Sequence, residues 1–193
     1  MALNDGAVFT AAYGYIYTNA VGSDAPTEQA IFDFVGDTGI TTPVGYTIIG
    51  HTSRDDLPEF GFDGGDTETR GTWQNEALRT VLTEAAVDFV TFNLVQFDKD
   101  TFELYYGQEN VATGPNSYAL NGSPGGATEA ALLIVIVDGA NKIAFHAPKV
   151  ELRRNEAITI AVDEFGALPM RATFLKNTGD PLFQWIPGVD TTP

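Results

Sequence analysis

The sequence predicts a mainly β fold: an antiparallel β-sandwich or barrel with one short flanking α-helix and long extended loops. Apolar and polar residues alternate over many short stretches, the two-residue period of strands that bury one face. Turn residues separate those stretches, with 20 glycines and 10 prolines among 193 residues. The start and stop signals of a helix coincide clearly at one place only, residues 100–107.

In order along the chain, AVFTAAYGYIYT (7–18) puts Phe9, Ala11, Tyr13, Tyr15 and Tyr17 on one face and reads as the first strand, behind a short N-terminal arm of about residues 1–7. Turn-rich NAVGSDAPTEQA follows, and Gly36, Gly39 and Pro43 punctuate the next segment. GYTIIGHTS (45–53) is a short apolar strand. The texture then changes. RDDLPEFGFDGGDTETRG (54–71) holds six acids, two bases, four glycines and one proline, has little to bury, and reads as a long exposed loop. Loops longer than about 12–15 residues are commonly functional or unstructured.

Alternation returns in two strands, 72–82 and 87–97. The second places Val90, Phe92 and Leu94 on one face and Thr91 and Asn93 on the other. Asp98-Lys99-Asp100-Thr101 ends that strand. Asp100 and Glu103 have capping-box spacing and Gly107 stands where a helix stops, so 100–107 is read as the helix. Residues 108–129, rich in Gly, Asn, Ser and Pro, form a second long loop. ALLIVIVD (131–138) is continuously apolar and β-branched, the mark of a strand buried on both faces or lying at an interface. Asp138-Gly139 signals a hairpin into KIAFHA. Val150 and Leu152, then Ile158, Ile160 and Val162, then MRATFLK (170–176) alternate as further strands. The proline-bounded tail, about 178–193, reads as extended.

Composition narrows the function. A chain of 193 residues, 44% hydrophobic, fits a single domain spanning 1–193. Chains of this size bury roughly 70% of their unfolded surface, enough for one core. There is no cysteine, hence no disulfide, thiolate ligand or cysteine nucleophile. His51 and His146 are the only histidines, which leaves little for a zinc site or a histidine-based triad. The longest apolar run, Ala130 to Val137, is eight residues, where a membrane helix needs about 20. No basic residue stands near Asp5 to make a secretory signal, so synthesis and retention in a cytosol are expected, or release without such a signal.

The formal net charge is −16, and it is unevenly spread. Residues 1–70 hold 11 acids and 2 bases, residues 71–146 hold 9 and 3, and residues 147–193 hold 6 and 5. Such a surface repels nucleic acid rather than gripping it through counterion release.

Asp98-x-Asp100 after an apolar strand is similar to the nucleophile motif of haloacid-dehalogenase-type phosphotransferases. That motif wants Thr or Val two residues past the second aspartate, where Phe102 stands, and it belongs to a fold alternating strands and helices. A strand end followed by a helix cap accounts for both carboxylates. Asp63, Asp66 and Glu68 near Gly64-Gly65 offer oxygen ligands for a hard cation, but their spacing departs from the D-x-[DN]-x-[DN]-G calcium loop and fits a solvated acidic loop. Asn121-Gly122-Ser123 fits a glycosylation triplet, but Pro124 follows it. Trp73 and Trp185 read as core or interface anchors. No catalytic, cofactor-binding or metal-ligating residues emerge, and the chain reads as a binding or assembly protein rather than an enzyme.

The order of the motifs is more specific than any one of them. GYIYTNAVGSDAPT joins an aromatic strand to a Val-Gly turn and a proline. PVGYTIIGHTSRDD is a strand running into an acidic turn. WQNEALRTVLTEAAVDFVTFNLVQFDKDTFELYYG sets two strands before a short helix ending in Tyr-Gly, and APKVELRRNEAITIAVDEFGALPMRATFLKN closes with alternating strands. Over about residues 8–177 this arrangement resembles the major tail protein, or tail tube protein, of long-tailed bacteriophages, most closely those of actinobacterial hosts.

The resemblance implies a virion protein, made in the cytoplasm of the bacterial host, that needs no cofactor. Six copies close into a ring, and rings stack into a hollow tube. The tube surrounds a tape-measure protein, meets tail tip and terminator proteins at its ends, and passes DNA without binding it specifically. Inter-ring contacts are expected from the 54–71 segment, through Arg54, Asp55, Asp56, Glu59, Phe60, Phe62, Asp63 and Asp66, and the lumen from acids such as Glu84 and Asp88. Closing sheets from several subunits also removes the exposed strand edges that endanger a monomer. Two other readings fit the absence of catalytic motifs. A tail terminator or decoration protein would stop at a single ring, and a ligand-binding β-sandwich would stay monomeric around a concave aromatic site.

Overall fold

The computed structural model describes residue 3 and residues 8–35, 45–107, 114–120, 122 and 126–188. Ten strands and two helices lie in it. They are β1 (Tyr13–Asn19), α1 (Glu28–Phe32), β2 (Thr47–Ile48), β3 (Glu59–Asp63), β4 (Thr67–Thr72), β5 (Asn75–Leu82), β6 (Val87–Leu94), α2 (Lys99–Tyr106), β7 (Thr128–Asp138), β8 (Asn141–Arg154), β9 (Leu168–Phe174) and β10 (Gln184–Pro187). The main sheet is antiparallel, in the order β2-β1-β7-β8-β9-β6-β3, with β10 on the first half of β8.

This sheet rolls up on itself. Beyond β2 the chain reaches the far end of β6, where Ser53 N donates to Asn93 O and Val95 N to His51 O, both at 2.9 Å. Thr52 bridges Leu94 there. The 47–53 segment therefore ties β2, at one end of the strand order, to β6, the strand next to the other end.

β7 shows why the sequence folds this way. Its unbroken apolar run serves two cores. Leu132 and Ile134 point into the roll with Phe92, Leu94, Phe145, Val150 and Met170. Leu133 and Val135 point outward under Tyr17, Ile31, Phe34 and Tyr46. Each such large side chain, fully buried, stabilises the fold by about 1.5–3 kcal/mol of transfer free energy.

The helices cover the two cores. Thr27 caps α1, its hydroxyl accepting from Ala30 N at 3.2 Å, and α1 buries Ile31 over the outer core. α2 buries Thr101 and Tyr105 against the inner one, with the Tyr105 hydroxyl donating to Glu156 O. Asp98 is the N-cap of α2. Its carboxylate accepts from Thr101 N at 3.0 Å, and Asp98 N donates to Thr101 Oγ1 at 3.1 Å. The expected box between Asp100 and Glu103 is thus displaced two residues upstream, because Thr101 rather than Glu103 closes it, and Asp100 lies in the first turn. Gly107, with φ of 93°, ends the helix as expected.

Four expectations are revised. The first strand starts at Tyr13, not near residue 7, and residues 4–7 fall outside the described set. The 54–71 stretch is mostly exposed but not irregular: it holds β3 and all of β4 but its last residue, Thr72. Strand pairing needs backbone partners, and here these come without burial. Ile158, Ile160 and Val162 form no strand. Only Thr159 makes a bridge, to Ala167, and Ile160 and Val162 stand in solvent. A second helix, α1, was not expected, since a single capped turn carries too few residues for a helical period. Of the second loop, 108–129, residues 114–120, 122 and 126–129 are described, and its end is already strand, since β7 starts at Thr128.

Candidate assembly surface

β4 and β5 form a two-stranded sheet of their own. Gly64 and Gly65, at φ of 75° and 81°, turn the chain out of β3 into this arm. At its base Asp66 O accepts from Thr83 N at 2.8 Å and from Thr83 Oγ1 at 2.9 Å. Along it Thr67 pairs with Leu82, Glu68 with Val81, Thr69 with Thr80 and Arg70 with Arg79. The register then shifts at Gly71, where an added Cβ would lie 2.2 Å from Glu76 O, and Trp73-Gln74 make the tip. Eight residues of strand extend about 25 Å.

Apart from the half-buried Val81, every residue in both arm strands is exposed, and Trp73 at the tip is 98% exposed. The two faces differ. Thr67, Thr69, Leu78, Thr80 and Leu82 share one, while Glu68, Arg70, Arg79 and Val81 share the other. Directly opposed like charges destabilise a strand pair. Glu68 offsets Arg70 through an exposed ion pair at 3.2 Å, and Arg79 has no acid within ion-pair distance among the described residues.

The residues expected at inter-ring contacts are not gathered into one site. Arg54, Asp55 and Asp56 lie in an exposed turn before β3, with Asn93 Nδ2 donating to Asp56 Oδ2 at 3.3 Å. Glu59, Gly61 and Asp63 face outward on β3. Asp63 pairs with Arg171 of β9, whose guanidinium lies 3.6 Å from the centre of the Phe89 ring. Phe60 and Phe62 sit on the opposite face of β3. Phe60 packs 4.8 Å from Phe145 and 5.1 Å from Trp185, in an aromatic cluster at the mouth of the roll that Phe174 and Phe183 complete. Phe62, 67% exposed, extends this cluster to the surface. Asp66 closes the base of the arm.

Of the two acids expected in the lumen, Glu84 is exposed just after the arm. Asp88, opposite Phe62, shares a face with Val90 and Phe92 at the partly buried start of β6. Trp185 anchors the aromatic cluster, whereas Trp73 packs on no core among the described residues. The signal for the arm is the Trp73-Gln74 turn between threonine-rich β4 and the alternating end of β5, where Leu78, Thr80 and Leu82 share a face, and a loop assigned to 54–71 hides it.

Reactive groups are dispersed or already engaged. A cleft of about 780 Å³ between β2 and α2 includes Asp98, Asp100 and Glu103 in its lining. Partial burial works against the Asp98 charge, but hydrogen bonds from Gln96 and Thr101 outweigh it and hold the carboxyl below its usual range. His146 is buried under Tyr46, and its ring nitrogens complete no hydrogen bond of normal geometry, although the Ser23 backbone lies close. Burial pushes its imidazole below the usual histidine range, against smaller contributions from Ser23, Asp180 and Asp24. Burial, then Asp24, raises the Tyr46 hydroxyl. Among the described residues no three histidines or carboxylates converge as a metal site.

Fold and surface together define a class: a β-protein with a rolled sheet and, among the described residues, an arm that lies on nothing of its own chain. The chain belongs to the phage tail tube protein family, whose sequence profile matches residues 1–191. It is 43% identical over 188 residues to the major tail protein Gp23 of Mycobacterium phage L5, covering 96% of this chain and 93% of that protein. Identity and coverage are the same for the major tail protein Gp23 of Mycobacterium phage D29.

Proposed function

We propose that this chain is the major tail tube subunit of a long-tailed phage of an actinobacterial host, a virion component without catalytic activity. Copies close into hexameric rings, and the rings stack into a hollow tube. The tube encloses a tape-measure protein, joins tip and terminator proteins at its ends, and conducts DNA during ejection. The observation that carries this reading is the arm. An isolated two-stranded hairpin is at best marginally stable in water, and an extended hairpin with both faces exposed gains stability only when another surface covers it. A family of tube proteins supplies that surface as further copies of the chain.

The test is electron microscopy of the purified protein at high concentration, with an arm-deleted variant in which 67–82 is replaced by a short Gly-Ser link. The parent forms striated hollow cylinders and the variant does not, while remaining folded. A parent that stays monomeric, or a variant that builds normal cylinders, overturns the proposal. A single closed ring instead of cylinders points to a tail terminator. Deleting 57–68 is a poorer test, because it removes β3 and takes Phe60 out of the aromatic cluster.

The same reading places acids on the tube wall, where a basic lining would retain each phosphate it met. Glu84→Lys with Asp88→Lys then leaves cylinders intact and slows DNA delivery, measured as potassium efflux and plaque formation. Normal infectivity with intact tubes removes these two residues from the lumen.

A further inference from the structure

The strands give the subunit a polarity. The arm leaves the sheet between β3 and β6, at the Val87 end of β6. β9 runs antiparallel to β6, with Leu168 opposite Leu94 and Thr173 opposite Phe89. The connection from β8 to β9, residues 155–167, therefore lies at the other end of the same strands, where Gly166 meets the Phe97 ring and the Glu156 carbonyl accepts from Tyr105.

That connection is the second unpartnered feature of the surface. It exposes Ile160, Val162 and Phe165 at 82%, 106% and 87%. Between them stand Asp163 and Glu164, both exposed and without an ion pair among the described residues. Its two acids have no base in ion-pair distance among the described residues, whereas the arm face that bears Arg70 and Arg79 has one acid, Glu68, and therefore keeps an excess of positive charge behind the exposed Trp73.

Building on the reading that the arm is an assembly contact, we propose that the arm of one copy seats on the 155–167 connection of the next copy, Trp73 packing on Phe165 and Arg70 and Arg79 facing Asp163 and Glu164. The occupant is a second copy because both halves of the contact are carried by one chain, at opposite ends. A contact between different patches repeats head to tail without closing on a dimer, which is the geometry of an open stack. Charge reversal on either side sets like charges together at the contact and weakens it.

The experiment measures the concentration at which the full-length chain polymerises, by sedimentation, for four variants. R70E/R79E and D163K/E164K each raise it by about tenfold or more. The four-residue exchange returns it to within about threefold of the parent, like charges having been replaced by an inverted pair. R70E/R79E combined with E28K/D33K on α1 restores the net charge but not polymerisation. Should the four-residue exchange polymerise no better than either one-sided variant, or should E28K/D33K rescue equally, the pairing is wrong. If the arm-deleted chain also fails to polymerise, only the docking site falls. If the arm-deleted chain polymerises normally, or the parent never does, the assembly role of the arm falls with it.

Discussion

β7 and β5 are both long strands in antiparallel pairs, yet they have opposite surroundings. β7 is sandwiched between two cores, with Ala130 to Val135 all buried. β5 has no core on either side and is exposed along almost its whole length. The difference separates two jobs of a strand. Backbone pairing and alternation are enough to shape one, whereas side-chain burial is what makes it stable on its own. The rolled sheet has both within a single copy. Among the described residues the arm has only the first, and on the proposed reading another copy supplies the second.

The sharpest contrast is expected in stability. Phe145 is buried where the roll meets the aromatic cluster, and Phe145→Ala costs about 3–5 kcal/mol, read as a fall in the denaturant midpoint. A loss under about 1 kcal/mol would mean that the cluster is not part of the core. Asp98→Ala removes the N-cap and capping box of α2 and costs about 1 kcal/mol, with Asp98→Asn retaining most of the stability.

A pH effect follows from the outer core. The folded-state value for His146 lies below that of the unfolded chain, about 6.5. The unfolded chain therefore binds the proton more readily, and stability present above 6.5 is lost as pH falls from about 7 toward the depressed folded value. His146→Gln flattens that slope below about pH 7, and an unchanged slope would place the titration elsewhere. The smallest stability effect belongs to the arm tip: Trp73→Ala changes unfolding by no more than about 0.5 kcal/mol while impairing tube formation. A large loss of stability in the isolated subunit would mean that the tip has a partner within its own chain.

Legibility in the sequence divides along the same line. Val90, Phe92 and Leu94, the apolar run of β7, the Asp138-Gly139 turn and the end of α2 at Gly107 could all be read, because burial or a φ requirement leaves a mark on residue choice. β3 and β4 could not. Acids, glycines and threonines describe an exposed segment equally well whether or not its backbone is paired. Ile158, Ile160 and Val162 misled in the other direction: their alternation suggested a strand of the sheet, but Ile160 and Val162 point to solvent. The candidate surface was only half visible. The segment entering the arm was singled out, but its pairing with residues 75–82 and the exposure of Trp73 emerge only from the register.

Amide hydrogen exchange, compared between the free subunit and assembled tubes, tests most directly whether the arm is completed by another copy. Amides of β7 exchange slowly in both states. Those of 67–82 exchange quickly in the free subunit and become protected in the tube. Protection of 67–82 that is already full in the free subunit, or still absent in the tube, would contradict the account.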